Sequence, residues 1–205
     1  MFDFGSIVDV ADKLGIIQAV KGKLLRQPDP AGDKLVAALD EIYKIYASVE
    51  SELPQYLALT FDPSDAVGFA GERAKLLALE GGEVSARIGK LRGHCGKIAN
   101  IYTKYLSPWF GSVLSPAETD LLAELFRSLD EFDGQMVHAI DSVAHWLTTE
   151  ASSVLTLIDS GDVHGANARV RAARKDVLPA RQAISRAMRR LLDLQAEFIG
   201  VSGAV

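Results

Sequence analysis

Three side chains in this sequence stand at spacings that could hold a metal ion: His138, Asp141 and His145. Steps of three and four residues put them on one side of a helix. A di-metal carboxylate site in a helical bundle needs Glu-x-x-His pairs directed into the core, but Gln135 and Ser142 occupy the positions three before the two histidines. Met136, Val143 and Trp146 mark the buried side of the same segment, which turns the trio towards solvent. The reading is a polar surface, with no metal ligand, catalytic residue or cofactor assigned.

His94 and Cys95 are neighbours on a helix, so their side chains diverge by about 100° and do not converge on one atom. Cys95 falls on an apolar seam and reads as a small buried hydrophobe. His164 follows a turn at Asp162 and reads as a helix-start residue. Gly89, Gly93 and Gly96 are embedded in a helical pattern, unlike the strand-to-helix glycines of a phosphate loop. Lys90 and Arg92 intervene, so this is no membrane-type glycine motif either; close approach of another backbone is expected there.

Two features remain. The last segment carries Arg169, Arg171, Arg174, Lys175, Arg181, Arg186, Arg189 and Arg190. Of these, Arg171, Arg174, Lys175, Arg181, Arg189 and Arg190 form a candidate face for an anionic partner. The second feature is the turn Leu106-Ser107-Pro108-Trp109-Phe110-Gly111-Ser112-Val113-Leu114, which is unusually apolar for a loop. The preferred reading is a cap folded back over the bundle end, burying Trp109 and Phe110. The alternative is an exposed interaction tip made of Trp109, Phe110, Val113 and Leu114.

These residues are positioned by elements that all read as helices. Ile7, Val10, Leu14, Ile17, Val20 and Leu24 recur at helical spacing, giving an N-terminal amphipathic helix within residues 1–27 that could act semi-independently. Asp29 and Pro30 then suit the start of a second helix, with Leu35, Leu39, Ile42, Tyr46, Val49 and Leu53 as its stripe. Pro54 is expected to kink or end it. Asp62-Pro63-Ser64 resembles a cap, and Gly81-Gly82 weakens or breaks the helix that follows. Val84, Ile88, Leu91, Cys95, Ile98, Tyr102 and Tyr105 form a heptad-like seam.

Ser115-Pro116-Ala117-Glu118 is the strongest cap in the chain. A single helix to Ser160 is predicted from it, roughly 65 Å long at 1.5 Å per residue, with Leu122, Leu125, Leu129, Phe132, Met136, Ala139, Val143 and Trp146 inside. The last seam runs Val163, Ala166, Val170, Ala173, Val177, Ala180, Ile184, Ala187, Leu191, Leu194 and Phe198, bent at Pro179. The fold class is therefore all-α: one domain over 1–205, an elongated up-and-down antiparallel bundle of four long helices plus an N-terminal one.

Charge and composition narrow the function classes. The net charge of −5 argues against nucleic acid as a partner. Residues 107–160 hold nine acids against Arg127 alone, and 161–205 hold eight cations against four acids. Pairing of these two segments as antiparallel neighbours is the expected use of that asymmetry. Cys95 is the sole cysteine, which suits a reducing compartment. Asp9 and Asp12 interrupt the first apolar run, so it does not read as a signal peptide, and the expectation is a cytoplasmic protein. The leading expectation is a non-enzymatic bundle acting by protein–protein contact or self-association, as a scaffold or regulatory module. The alternative is a membrane-active bundle that presents Trp109-Phe110 or its N-terminal helix to anionic lipid. In that helix Phe2, Phe4, Ile7, Ile16 and Ile17 lie beside Lys13, Lys21 and Lys23.

Overall fold

The computed structural model describes residues 5–26, 30–132 and 134–202, and for Val84, Ser85, Ile88 and residues 200–202 the backbone alone. The fold is all-α. Ten α-helices follow one another among the described residues: α1 (Gly5–Lys13), α2 (Gly15–Leu24), α3 (Ala31–Leu57), α4 (Ala66–Glu80), α5 (Glu83–Gly89), α6 (Arg92–Ile101), α7 (Ser107–Val113), α8 (Pro116–Ser128), α9 (Gln135–Asp159) and α10 (Val163–Ser202). A π-helical turn, Tyr102–Leu106, joins α6 to α7.

The N-terminal pattern gives two helices, not one, meeting at Leu14. All six of its predicted apolar residues are buried. α1 packs on α9 and α10, and α2 on α8. Phe2, Phe4 and the Asp29 cap lie outside the described residues. In α3 the whole predicted stripe is buried, and Pro54 sits in the last turn without breaking it. The next cap is Asp65, which accepts a hydrogen bond from the Gly68 amide at 2.9 Å. Asp62 instead closes a local turn on Ser64. The break at Gly81-Gly82 is real, with Gly82 at a φ of 83° that other residues rarely adopt.

Three departures have physical causes. First, the seam beginning at Val84 is divided. Leu91, Cys95 and Ile98 are buried, but Tyr105 is 45% exposed and Leu106 takes the inward position. The π-helical turn inserts one residue, shown by the Ser107 amide donating to the Tyr102 carbonyl, and so advances the inward phase by one. Second, Ser107-Pro108 does not end the helix. The wider turn absorbs a proline that an α-helix would reject, and α7 continues from it.

Third, the long helix predicted from Ser115 to Ser160 is two helices. The Ser115–Glu118 capping box forms as expected, but α8 stops at Ser128. Asp130 accepts from the Phe132 amide at 2.9 Å and turns the chain. Phe132 is 84% exposed, not on the seam. A side-chain carbon at Gly134 would lie 2.4 Å from the Asp130 carbonyl oxygen, so the turn accepts only glycine there. The glycines of α5 and α6 do not mark a backbone approach: Gly89 and Gly93 face open space, and Gly96 lies against the Glu131 carboxylate.

α10 is 40 residues long and holds the structure together. Its inner seam is small, with Ala166, Ala173, Ala180 and Ala187 buried among Val170, Val177, Ile184, Leu191, Leu194 and Phe198. Small residues let α3 pack closely along it, and this is the most extensive helix pair. Contacts of Glu50 with Arg181 and of Leu57 with Arg174 fix the two as antiparallel. One continuous apolar core runs from Ile7 to Phe198.

Candidate functional site

The sequence's charged residues divide into those held by the fold and those left facing solvent. Acids of 107–160 find most of their partners far from the last segment: Glu118 pairs with Lys23 at 2.6 Å, Glu124 with Lys13 at 3.1 Å, Asp159 with Arg73 at 3.1 Å and Asp141 with Arg92. Among the described residues, only Glu150 pairs with a cation of α10, through Arg169. The acidic and basic segments do pack as neighbours through α9 and α10, but the expected charge pairing between them is corrected to the single Glu150–Arg169 pair among the described residues. The N-terminal helices and α4 to α6 supply most of the counter-charge.

The cations of α10 fall into two sets. Arg174 donates to the carbonyl oxygens of Leu57 and Leu59, filling the otherwise unpaired end of α3. Arg181 donates to Glu50 at 2.8 Å, and Arg190 to the Ala11 carbonyl oxygen at 3.3 Å. These three of the six predicted face residues have intramolecular work. Arg171, Lys175 and Arg189 are exposed, as is Arg186, and none of the four has a hydrogen-bond or ion-pair partner among the described residues.

Beside those four cations the outer face of α10 carries aliphatic side chains. Leu178 is 53% exposed, Leu192 49% and Ile199 57%. They fall on steps of fourteen and seven, a heptad spacing on the side opposite the alanine seam. Three grooves succeed one another along this face. The first, about 430 Å³, lies between Pro54 and Ala58 of α3 and Lys175 and Leu178. The second, about 460 Å³, runs past Gln182 and Ser185 to Arg189. The third, about 720 Å³, is bounded by Gln18, Arg186, Arg189 and Asp193. Leu178 and Arg181 are shared by the first two, and Arg186 and Arg189 by the last two. The sequence held a partial signal for this face, since Leu178, Leu192 and Ile199 share one heptad position of α10 with Ser185 between them.

The candidate tip is placed differently. Trp109 is 6% exposed, Phe110 and Leu114 are buried, and Val113 is half-buried against the core. Phe110 and Tyr102 both pack on the Phe126 ring, with Tyr102 stacked at 4.6 Å between centroids. Trp109 and Phe110 therefore lie within the bundle. The apolar face of the N-terminal helices is likewise inside, and Lys13, Lys21 and Lys23 are tied to Glu124, Glu197 and Glu118. No helix among the described residues is long and apolar enough to cross a membrane.

His138, Asp141 and His145 are exposed. No group of metal-binding side chains assembles among the described residues. Cys95 is fully buried, and burial together with the nearby charges of Asp130 and Glu131 pushes its thiol up to about 12. A polar cluster sits at Glu41, which is met by His94, Lys44 and Lys97. Burial opposes its ionisation, but hydrogen bonds from His94 and Lys44 prevail and hold its carboxyl down at about 2. Compared with protein-family models, curated proteins and solved structures, the chain matched none.

Proposed function

We propose that this protein is a non-enzymatic interaction module, a scaffold or regulator, that grips an acidic protein surface with the outer face of α10. The observation that carries this reading is the division among the α10 cations. Arg169, Arg174, Arg181 and Arg190 serve the fold, whereas Arg171, Lys175, Arg186 and Arg189 share the outer face of α10 with Leu178 and Leu192 and have no intramolecular partner among the described residues. Aliphatic anchors edged by unpaired cations suit an amphipathic acidic helix, which would bury its apolar positions and neutralise the rim. The net charge of −5 makes a local basic strip more selective, because the remaining surface repels an acidic partner that approaches elsewhere. The lone, buried Cys95 suits work in the reducing cytoplasm.

The test is to isolate bound proteins from cells with the wild-type chain and with Arg171→Glu, Lys175→Glu, Arg186→Glu and Arg189→Glu combined. All four side chains are exposed, so helicity and thermal midpoint serve as controls on folding. A partner that binds the purified wild-type chain and is lost on charge reversal supports the reading. Equal recovery by both, or flotation of the wild-type chain with phosphatidylserine vesicles in place of any protein partner, overturns it.

A further inference from the structure

The segment around Trp109 and Phe110 is buried, as the preferred reading of a folded-back cap expects, yet one of its atoms is left unsatisfied. Trp109 is 6% exposed, and its indole Nε1–H has no hydrogen-bond partner among the described residues. A buried donor left unpaired is a cost to the fold that a ligand atom could relieve. Trp109 forms part of the wall of a cavity of about 400 Å³ between the start of α3 and the π-helical turn. Lys34 and Lys104 stand in the same wall, with Tyr105, Pro30 and Pro108 as its apolar plates.

The chemistry of that wall is one-sided. Lys34 Nζ lies 5.1 Å from the centre of the Tyr105 ring, a cation–π contact between two residues of the wall. Lys104 has no partner among the described residues. Among the described lining residues the two lysines are the charged groups, and no carboxylate stands with them. The volume lies within the range of small-molecule sites, which combine apolar walls with a few placed polar groups. π-helical turns recur at functional sites, and this one sets Lys104 and Tyr105 into the wall.

We propose that this cavity binds a compact organic anion: a carboxylate or phosphate group held by Lys34 and Lys104, with the Trp109 indole in the wall beside it. A planar apolar body would lie along Tyr105 and the two prolines. This site is separate from the α10 face, so it stands or falls independently of the interaction reading.

Trp109 and Trp146 are the two tryptophans, so the ¹⁵N-labelled chain gives two indole signals. Trp146 packs on Tyr56, about 37 Å along α3 from Ala31 at 1.5 Å per residue, and serves as an internal control. The experiment titrates benzoate and, separately, inorganic phosphate against chloride at constant ionic strength. The expected result is a saturable displacement of the Trp109 indole signal with Trp146 unmoved. Lys34→Ala combined with Lys104→Ala, both at exposed positions, should weaken that binding by about tenfold or more. Saturation by benzoate assigns a carboxylate ligand, and saturation by phosphate a phosphorylated one. A Trp109 signal that neither anion moves, movement of both tryptophans together, or an unchanged titration in the lysine variant overturns the proposal.

Discussion

Arg169 holds Glu150 by two parallel hydrogen bonds, from Nε at 2.8 Å and from an Nη at 2.9 Å. The Tyr56 hydroxyl donates to the same carboxylate at 3.3 Å, so one acid of α9 ties α10 and α3 together. Bidentate pairs of this kind are stronger and more directional than ordinary surface ion pairs. Glu150→Ala should therefore cost about 1–3 kcal/mol in urea denaturation. A double-mutant cycle with Arg169→Ala should return a coupling of at least about 0.5 kcal/mol, as expected for residues in direct contact. Strict additivity would show that the pair holds nothing.

Two glycines should respond to alanine with opposite signs. Gly71 lies in the middle of α4 with nothing within 4 Å of an added side-chain carbon. Gly71→Ala should stabilise the protein by about 0.5–1 kcal/mol through helix propensity. Gly134→Ala would drive a carbon against the Asp130 backbone, and strain of this kind places it among the more damaging single changes, at about 2 kcal/mol or more. Thermal unfolding of the two variants beside the parent checks both signs at once.

These two glycines also show how far the fold could be read from the sequence. The seams of α3 and α10 and the Ser115 cap were legible because periodicity and cap chemistry are local. The break after Ser128 was hidden because Leu125, Leu129, Phe132 and Met136 keep helical steps straight through it. Only Asp130 and Gly134, a turn pair inside an apolar rhythm, gave it away. The π-helical turn was hidden for a related reason, since one inserted residue shifts the phase without altering composition. Ion-pair partners were not legible either. The acids of α8 and α9 take whichever cation the packing brings near, and Lys13, Lys23, Arg73 and Arg92 reach them first. The cavity beside Trp109 joins residues about seventy positions apart, and no local pattern announces such a meeting.

The Cys95 thiol should be silent in the native state. With full burial and a thiol pushed up to about 12, it presents neither access nor thiolate at pH 8. Labelling by a disulfide reagent should proceed only as fast as the bundle opens, and should become immediate in denaturant. Rapid stoichiometric labelling of the folded chain would contradict this placement.

Acid should weaken the contact between α3 and α6. Glu41 is held at about 2 in the folded chain against an ordinary 4.5, so its ionised form favours the folded state. That contribution is complete above pH 4.5 and is lost as the pH falls towards 2. Glu41→Gln should lower stability at neutral pH and flatten the acid limb between those values. Stability of the parent and the variant measured across that range gives the comparison, and parallel curves would refute it.

The π-helical turn bears on how the length of this chain can change. It holds one residue more than an α-helical path over the same stretch would need, with Pro108 as the reason an ordinary turn does not replace it. With Pro108 replaced by alanine, a single deletion in 102–106 would be absorbed there, leaving α6 and α7 in place. A deletion inside α10 has no such refuge. Every residue beyond it would rotate by about 100°, carrying Leu192 and Ile199 away from solvent and the inner seam out of the core. The protein thus has a stretch where length is negotiable, set against a long element where the two faces lock each other's register.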